Sequence, residues 1–86
     1  MEPTEVIQYP LMTESASLMV ERDNKLIFVV SLKAGKSDIK SAVEKLYEVK
    51  VAKINLLITS QGTKKAFVKL TPEFRASDVA IKLGIL

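Results

Sequence analysis

Two runs of alternating polarity near the C-terminal end flank a short loop that contains glycine. The first is VAKINLLITS, the second KKAFVKLT, with QGT between them. Period-two alternation puts successive side chains on opposite faces of a strand, and a short glycine-containing connection joins antiparallel neighbours. In the first run Ala52, Ile54, Leu56 and Ile58 share one face, and Lys53, Asn55, Leu57 and Thr59 share the other. In the second run Ala66, Val68 and Leu70 point inward while Lys65, Phe67 and Lys69 point outward. A loop of three residues and one of five both keep these faces matched, so alternation predicts the hairpin and leaves its register open.

A hairpin alone is marginal in water and needs further strands or helices on its apolar face. The segment KLIFVVSL, residues 25–32, supplies a strand rich in β-branched and aromatic residues. Its centre, residues 26–30, is apolar at every position, which predicts a central strand with some cover on each face. Ile39, Ala42, Val43 and Leu46 follow at i, i+3, i+4 and i+7, the stripe of an amphipathic helix. Ser37 is its expected N-cap, with Asp38 just inside and Lys40–Glu44 as an exposed pair.

TESASLMV predicts a first helix capped by Thr13, with Glu14 at its positive end and the polar cluster ERDNK after it. Met12 and Met19 read as core or gap-filling residues. A last helix is expected with Ser77 as cap, Val79, Ala80 and Leu83 as contacts, and Gly84 at its end. A short extended piece around residues 6–8 adds an edge strand. The expected fold class is α+β, in the order (β)αβαββα. It has a small, mainly antiparallel sheet of three to four strands with helices packed on it, one domain over residues 1–86.

Composition removes most chemistry. The 86 residues contain no cysteine and no histidine. Disulfides, the common zinc sites, thiol nucleophiles and imidazole acid–base catalysis are therefore out of reach. Gly35, Gly62 and Gly84 stand too far apart for a phosphate-cradling loop or a dinucleotide fingerprint. Glu44 and Glu48 read as a solvated helix face, and no serine has a base to activate it. The expectation is no enzyme, catalytic residue, metal, cofactor or small-molecule substrate. No apolar run approaches a membrane span, the N-terminal residues lack a secretory pattern, and the absence of cysteine suits a reducing, cytoplasmic setting.

What remains is charge. The net charge is only +3, from 13 basic and 10 acidic residues, but its distribution is uneven. Acids concentrate before residue 24, whereas residues 50–69 carry five lysines and no acid. On the outward face of the hairpin, Lys53 and Asn55 lie beside Lys65, Phe67 and Lys69, with Lys64 at the turn. Lysines neutralise phosphates, asparagine donates to sugars or base edges, and an exposed phenylalanine stacks on bases. The competing reading is a solvated sheet face on which Phe67 packs under a terminal helix and the lysines only discourage edge aggregation.

The segment KKAFVKLT, with Val79 beyond it, resembles the signature of the twenty-third large-subunit ribosomal protein family, which lines the exit of the peptide tunnel. YPLMTESAS resembles that family's N-terminal Pro-x-x-Ser/Thr-Glu-Lys segment, and AGKSDIKSAVEKLYEVKVAKIN resembles its central helix-and-strand block. The three segments occur in family order and span almost the whole chain. The resemblance implies a structural protein of the large ribosomal subunit, bound to large-subunit rRNA and to neighbouring tunnel-exit proteins. Lys64, Lys65 and Lys69 fall on the signature's basic positions, Asn55 on the strand asparagine, and Lys36 and Lys40 on the basic positions that open the central helix. These six, with Tyr9, Thr13, Lys53 and Phe67, are the expected rRNA contacts. Glu14 falls on the acidic position that docks trigger factor in bacterial relatives.

Three departures refine the expectation. Ser15 stands where a lysine usually follows the glutamate, and the SQGT tip is far shorter than the bacterial hairpin that enters the tunnel. The basic N-terminal extension of eukaryotic forms is also missing. The implied lineage is the archaeal form, with signal recognition particle as the visitor at the exit. The alternative is a free-standing small α+β regulatory or ligand-binding domain.

Overall fold

Five consecutive apolar residues, Leu26 to Val30, are all buried, and the strand that carries them is interior to the sheet. The structure, a computed structural model, describes residues 2–11 and 13–83. Its elements are α1 (Pro3–Val6), β1 (Ile7–Pro10), α2 (Glu14–Asp23), β2 (Lys25–Val30), α3 (Lys36–Tyr47), β3 (Val51–Ile58), β4 (Lys64–Leu70) and α4 (Ala76–Leu83). The sheet has the order β1-β2-β4-β3 with every neighbouring pair antiparallel. β2 and β3 therefore run parallel on either side of β4 and are joined through α3, a split βαβ unit. The α+β class, the four strands and the expected element order hold, with the single turn α1 added at the start.

The core lies on one face of the sheet. Leu26, Phe28 and Val30 of β2 join Ala66, Val68 and Leu70 of β4 and Ile54 of β3 in one cluster. Val6, Val20, Ile39, Ala42, Val43, Ala76, Val79 and Ala80 bring α1, α2, α3 and α4 onto that same cluster. Fully buried Phe28 contributes about 1.5–3 kcal/mol of transfer free energy, as a side chain of its size does. Ile27 and Val29 are buried as well but lie outside the cluster, on the other face. The expected cover on both sides of β2 thus takes two forms: helices on one face, neighbouring strand side chains on the other.

Several local expectations are corrected by backbone hydrogen bonding. α3 starts at Lys36, not after Ser37, because Asp38 reaches back from the third helical position to accept the Gly35 amide at 3.0 Å. Its stripe continues through Tyr47 instead of Leu46. Leu46 is 39% exposed, whereas the Tyr47 ring stacks on Phe28 at 5.7 Å with an interplanar angle of 8°. Glu44 is half-buried, and its Oε2 accepts the Val51 amide at 3.0 Å, a different role from the expected surface pair with Lys40. That contact holds the start of β3, where the register shifts between Val51 and Lys53. Val51 turns inward in place of Ala52, and Ile58 at the far end is exposed beyond the reach of the helices.

α2 runs on through Glu21, Arg22 and Asp23 and stops at Asn24 in the left-handed conformation, φ 55°. Thr13 caps it as expected, its Oγ1 accepting the Ala16 amide at 3.1 Å. α4 begins at Ala76 instead of following Ser77, and its first amide is met by the distant Asn24 side chain. Between β3 and β4 the loop spans residues 59–63. The Gly62 amide donates to the Thr59 carbonyl at 3.0 Å, with Gly62 at φ 80°. The expectations for Met12 and for Gly84 as the helix end fall outside the described residues.

Candidate nucleic-acid interface

Pairing across the sheet fixes which side chains share the helix-free face. In an antiparallel ladder directly paired residues stand on the same side. Lys25 pairs with Lys69 and Lys69 with Lys53; Ile27 pairs with Phe67 and Phe67 with Asn55; Val29 pairs with Lys65 and Lys65 with Leu57. Tyr9, 52% exposed on the edge strand β1, pairs with Val29 and extends the third row. None of these positions is acidic. The face therefore has an apolar floor, Ile27 and Val29, with Phe67 between a row of three lysines and the Lys65 row.

Three lysines in direct register repel one another, a cost that a solvated sheet would relieve by placing an acid among them. Lys53 and Lys69 are exposed and Lys25 is half-buried. Among the described residues no helix lies over Phe67: the buried residues of α4, Ala76, Val79 and Ala80, belong to the core of the opposite face. Phe67 is half-buried among strand neighbours, with its ring on the lysine-bearing side. The terminal-helix reading of Phe67 is therefore not what the fold contains.

The structure brings together Tyr9, Lys53, Asn55, Lys65, Phe67 and Lys69 of the expected residues. Lys36 and Lys40, one turn apart on α3, sit around the edge of the sheet. With Lys53, Val51 and Ala52 they line a groove of about 170 Å³ between α3 and β3. Lys53 thus belongs to both the sheet face and the groove. Thr13 stands apart as the cap of α2, and Glu14 is exposed in the first turn of that helix.

Lys64 is also apart. It pairs with Val30 and Ile58, which places it on the helix side of the sheet, opposite Lys65. Its Nζ donates to the Ala34 carbonyl at 2.6 Å and to the Leu32 carbonyl at 3.4 Å. Leu57 joins the face as alternation in KINLLI predicts, whereas Lys25, Ile27 and Val29 join it without having been expected there. Their parity within KLIFVV carries the signal, but it becomes readable only once β2 is known to pair with β4.

A larger cleft, about 320 Å³, opens elsewhere, at the end of α3 beside α4. Tyr47, Glu48, Glu73, Phe74, Arg75 and Asp78 are among its lining residues. Burial raises the Tyr47 phenol above its ordinary value of 10.0. The lining mixes both charges and contains none of the expected contacts. Among the described residues no group of three or more potential ligands is placed to hold a metal ion, and no helix is long and apolar enough to cross a membrane.

A four-stranded antiparallel sheet with helices on one face and lysines around an aromatic on the other defines a small α+β domain with a cationic platform. The chain belongs to the ribosomal protein L23 family, whose model matches residues 5–81. It is a ribosomal protein of the large subunit, a structural component of the translation machinery.

Proposed function

We propose that the helix-free sheet face binds large-subunit rRNA near the exit of the peptide tunnel. The observation that carries this reading is the row Lys25–Lys69–Lys53 directly beside the row Ile27–Phe67–Asn55. Cations in register repel until an anion lies across them, and an RNA backbone supplies phosphates along such a line. Phe67 offers a stacking surface to an unpaired base, and Asn55 beside it donates to a sugar or base edge. Lys53 carries the track over the β3 edge toward Lys36 and Lys40. A wide open face suits a folded RNA better than a small ligand, which needs enclosure and convergent polar groups.

Family membership supports the remaining partners of this reading. The protein sits in cytoplasmic ribosomes against neighbouring tunnel-exit proteins, and its exposed surface, including Glu14, contributes to the docking site for signal recognition particle. The five-residue loop 59–63 supports the archaeal form, because a connection this short does not extend far from the sheet.

Measuring affinity for a large-subunit rRNA fragment against salt concentration tests the reading. The triple substitution Lys53→Gln, Lys65→Gln, Lys69→Gln is expected to lower the slope of log K against log salt by about 2, at about 0.7 per lost phosphate contact with single-stranded RNA. An unchanged slope would show that the lysines are merely solvated.

A further inference from the structure

We infer that Lys64 is a positioning residue that sets the start of α3, and is not itself one of the phosphate contacts. Two adjacent lysines follow the hairpin loop, and the strand sends them to opposite faces. Lys65 joins the helix-free face, while Lys64 lies in the row Val30–Lys64–Ile58 on the other. There its ammonium meets the carbonyl of Ala34 at 2.6 Å and that of Leu32 at 3.4 Å. An ammonium is a donor only, so two carbonyls from one turn use two of its three protons.

The turn it holds is a short one. The Ala34 amide donates to the Ser31 carbonyl at 3.0 Å, and the Lys33 amide to Ser31 Oγ at 3.3 Å. Ala34 is fully buried, and Gly35 directly after it is the cap of α3. Asp38 accepts the Gly35 amide, and the Ile39 amide donates to the Gly35 carbonyl at 3.0 Å. Lys64 therefore clamps the carbonyl two residues before Lys36. Lys36 and Lys40 reach the groove beside Lys53 from the first turns of that helix. A charge-assisted hydrogen bond across 30 residues of sequence links the loop end of the hairpin to the helix that presents the second cationic track. The lysine pair after the turn is in this way divided by function: Lys65 faces the ligand, and Lys64 holds the frame.

The role in RNA binding rests on the reading of the sheet face given above; the clamp itself does not. The first experiment uses the unaltered protein, following the ¹H–¹⁵N signals of its lysine ammonium groups by NMR. Hydrogen bonding to two carbonyls slows proton exchange, so the Lys64 signal is expected in the free protein and should stay in place when the rRNA fragment is added. Lys65 and Lys69, followed through their non-exchanging ¹Hε–¹³Cε signals, should shift. A Lys64 signal that is absent in the free protein, or moves with that of Lys65, overturns the proposal. If no lysine signal moves, the RNA reading fails, while the free-protein signal still decides the clamp.

The second experiment compares Lys64→Gln with Lys65→Gln in RNA binding. Lys65→Gln should lower the salt slope by about 0.7. Lys64→Gln should leave the slope unchanged and weaken affinity about threefold to tenfold, the range expected for residues coupled through one network. That loss should disappear when Lys36 and Lys40 are already glutamine, because Lys64 acts through them, and persist in a Lys69→Gln background. A slope reduced as in Lys65→Gln, or a loss fully additive with Lys36 and Lys40, would make Lys64 a direct contact.

Discussion

Asn24 Oδ1 accepts the first amide of α4, that of Ala76, at 2.7 Å, across 52 positions of sequence. The same side chain donates through Nδ2 to the Phe74 carbonyl at 2.9 Å and, at 3.4 Å, to the carbonyls of Leu70 and Thr71. Its own carbonyl takes the Leu70 amide at 3.1 Å. One residue thus ends α2, flanks the end of β4 and caps α4. Asparagine is suited to this because it tolerates φ 55° and carries both a donor and an acceptor.

Replacing Asn24 separates these contributions. Asn24→Gly keeps the left-handed backbone and removes only the side-chain contacts, at an expected cost of about 1–3 kcal/mol for orphaned, partly buried partners. Asn24→Ala adds the strain of a Cβ at positive φ and should cost about 1 kcal/mol more. Urea denaturation of both variants measures the difference. Equal stability of the wild type and the glycine variant would remove the side chain from the account.

Contacts of this kind explain what could and could not be read in the chain. Alternation in KKAFVKLT assigned Ala66, Val68 and Leu70 to the core and Lys65, Phe67 and Lys69 to the open face, because a strand's period is a property of its own backbone. The cap of α4 escapes the pattern for the opposite reason, being set from 52 positions away, while that of α3 is a local alternative from three residues on. Ser37 and Ser77 are good caps by type, but Asp38 on Gly35 and Asn24 on Ala76 satisfy those helix ends instead. Lys64 shares the side of Ala66 and Val68, as alternation in the same run requires, while Lys25 joins the open face only because β2 becomes a neighbour of β4. That pairing is a long-range fact no local pattern contains.

The stacked pair Phe28–Tyr47 gives a pH dependence with a definite sign. Burial raises the Tyr47 phenol above 10.0, so in alkaline solution the unfolded chain loses this proton first. The unfolded state then binds fewer protons than the native state, and stability falls as pH rises past 10. Below pH 9 the contribution is constant. Tyr47→Phe retains the stacking ring and should match the wild type at pH 7, yet lose less stability between pH 9 and 11. Parallel stability profiles for the two proteins would refute it.

Gly62 sits at φ 80° in the hairpin loop, with open space around the position a Cβ would take. Substitution there is therefore a backbone effect alone. Gly62→Ala is expected to cost about 1 kcal/mol, and Gly62→Asn less, since asparagine enters the left-handed region more readily. Thermal denaturation of the two variants checks the order. An alanine variant as stable as the asparagine one would mean the loop relaxes to another turn.

Phe67 offers the sharpest test of the sheet face, because its packing and its stacking can be uncoupled. Phe67→Leu keeps apolar contact with the Ile27 row but lacks a ring, so folding stability should change by less than about 1.5 kcal/mol. RNA affinity should fall by about fivefold or more, since base–aromatic stacking contributes about 1–3 kcal/mol per base. Phe67→Tyr keeps the ring and should bind like the wild type. The lysines alone would give all three proteins the same affinity and the same salt slope. A selective loss in the leucine variant, at an unchanged slope, identifies a stacked base and places it between the lysine rows.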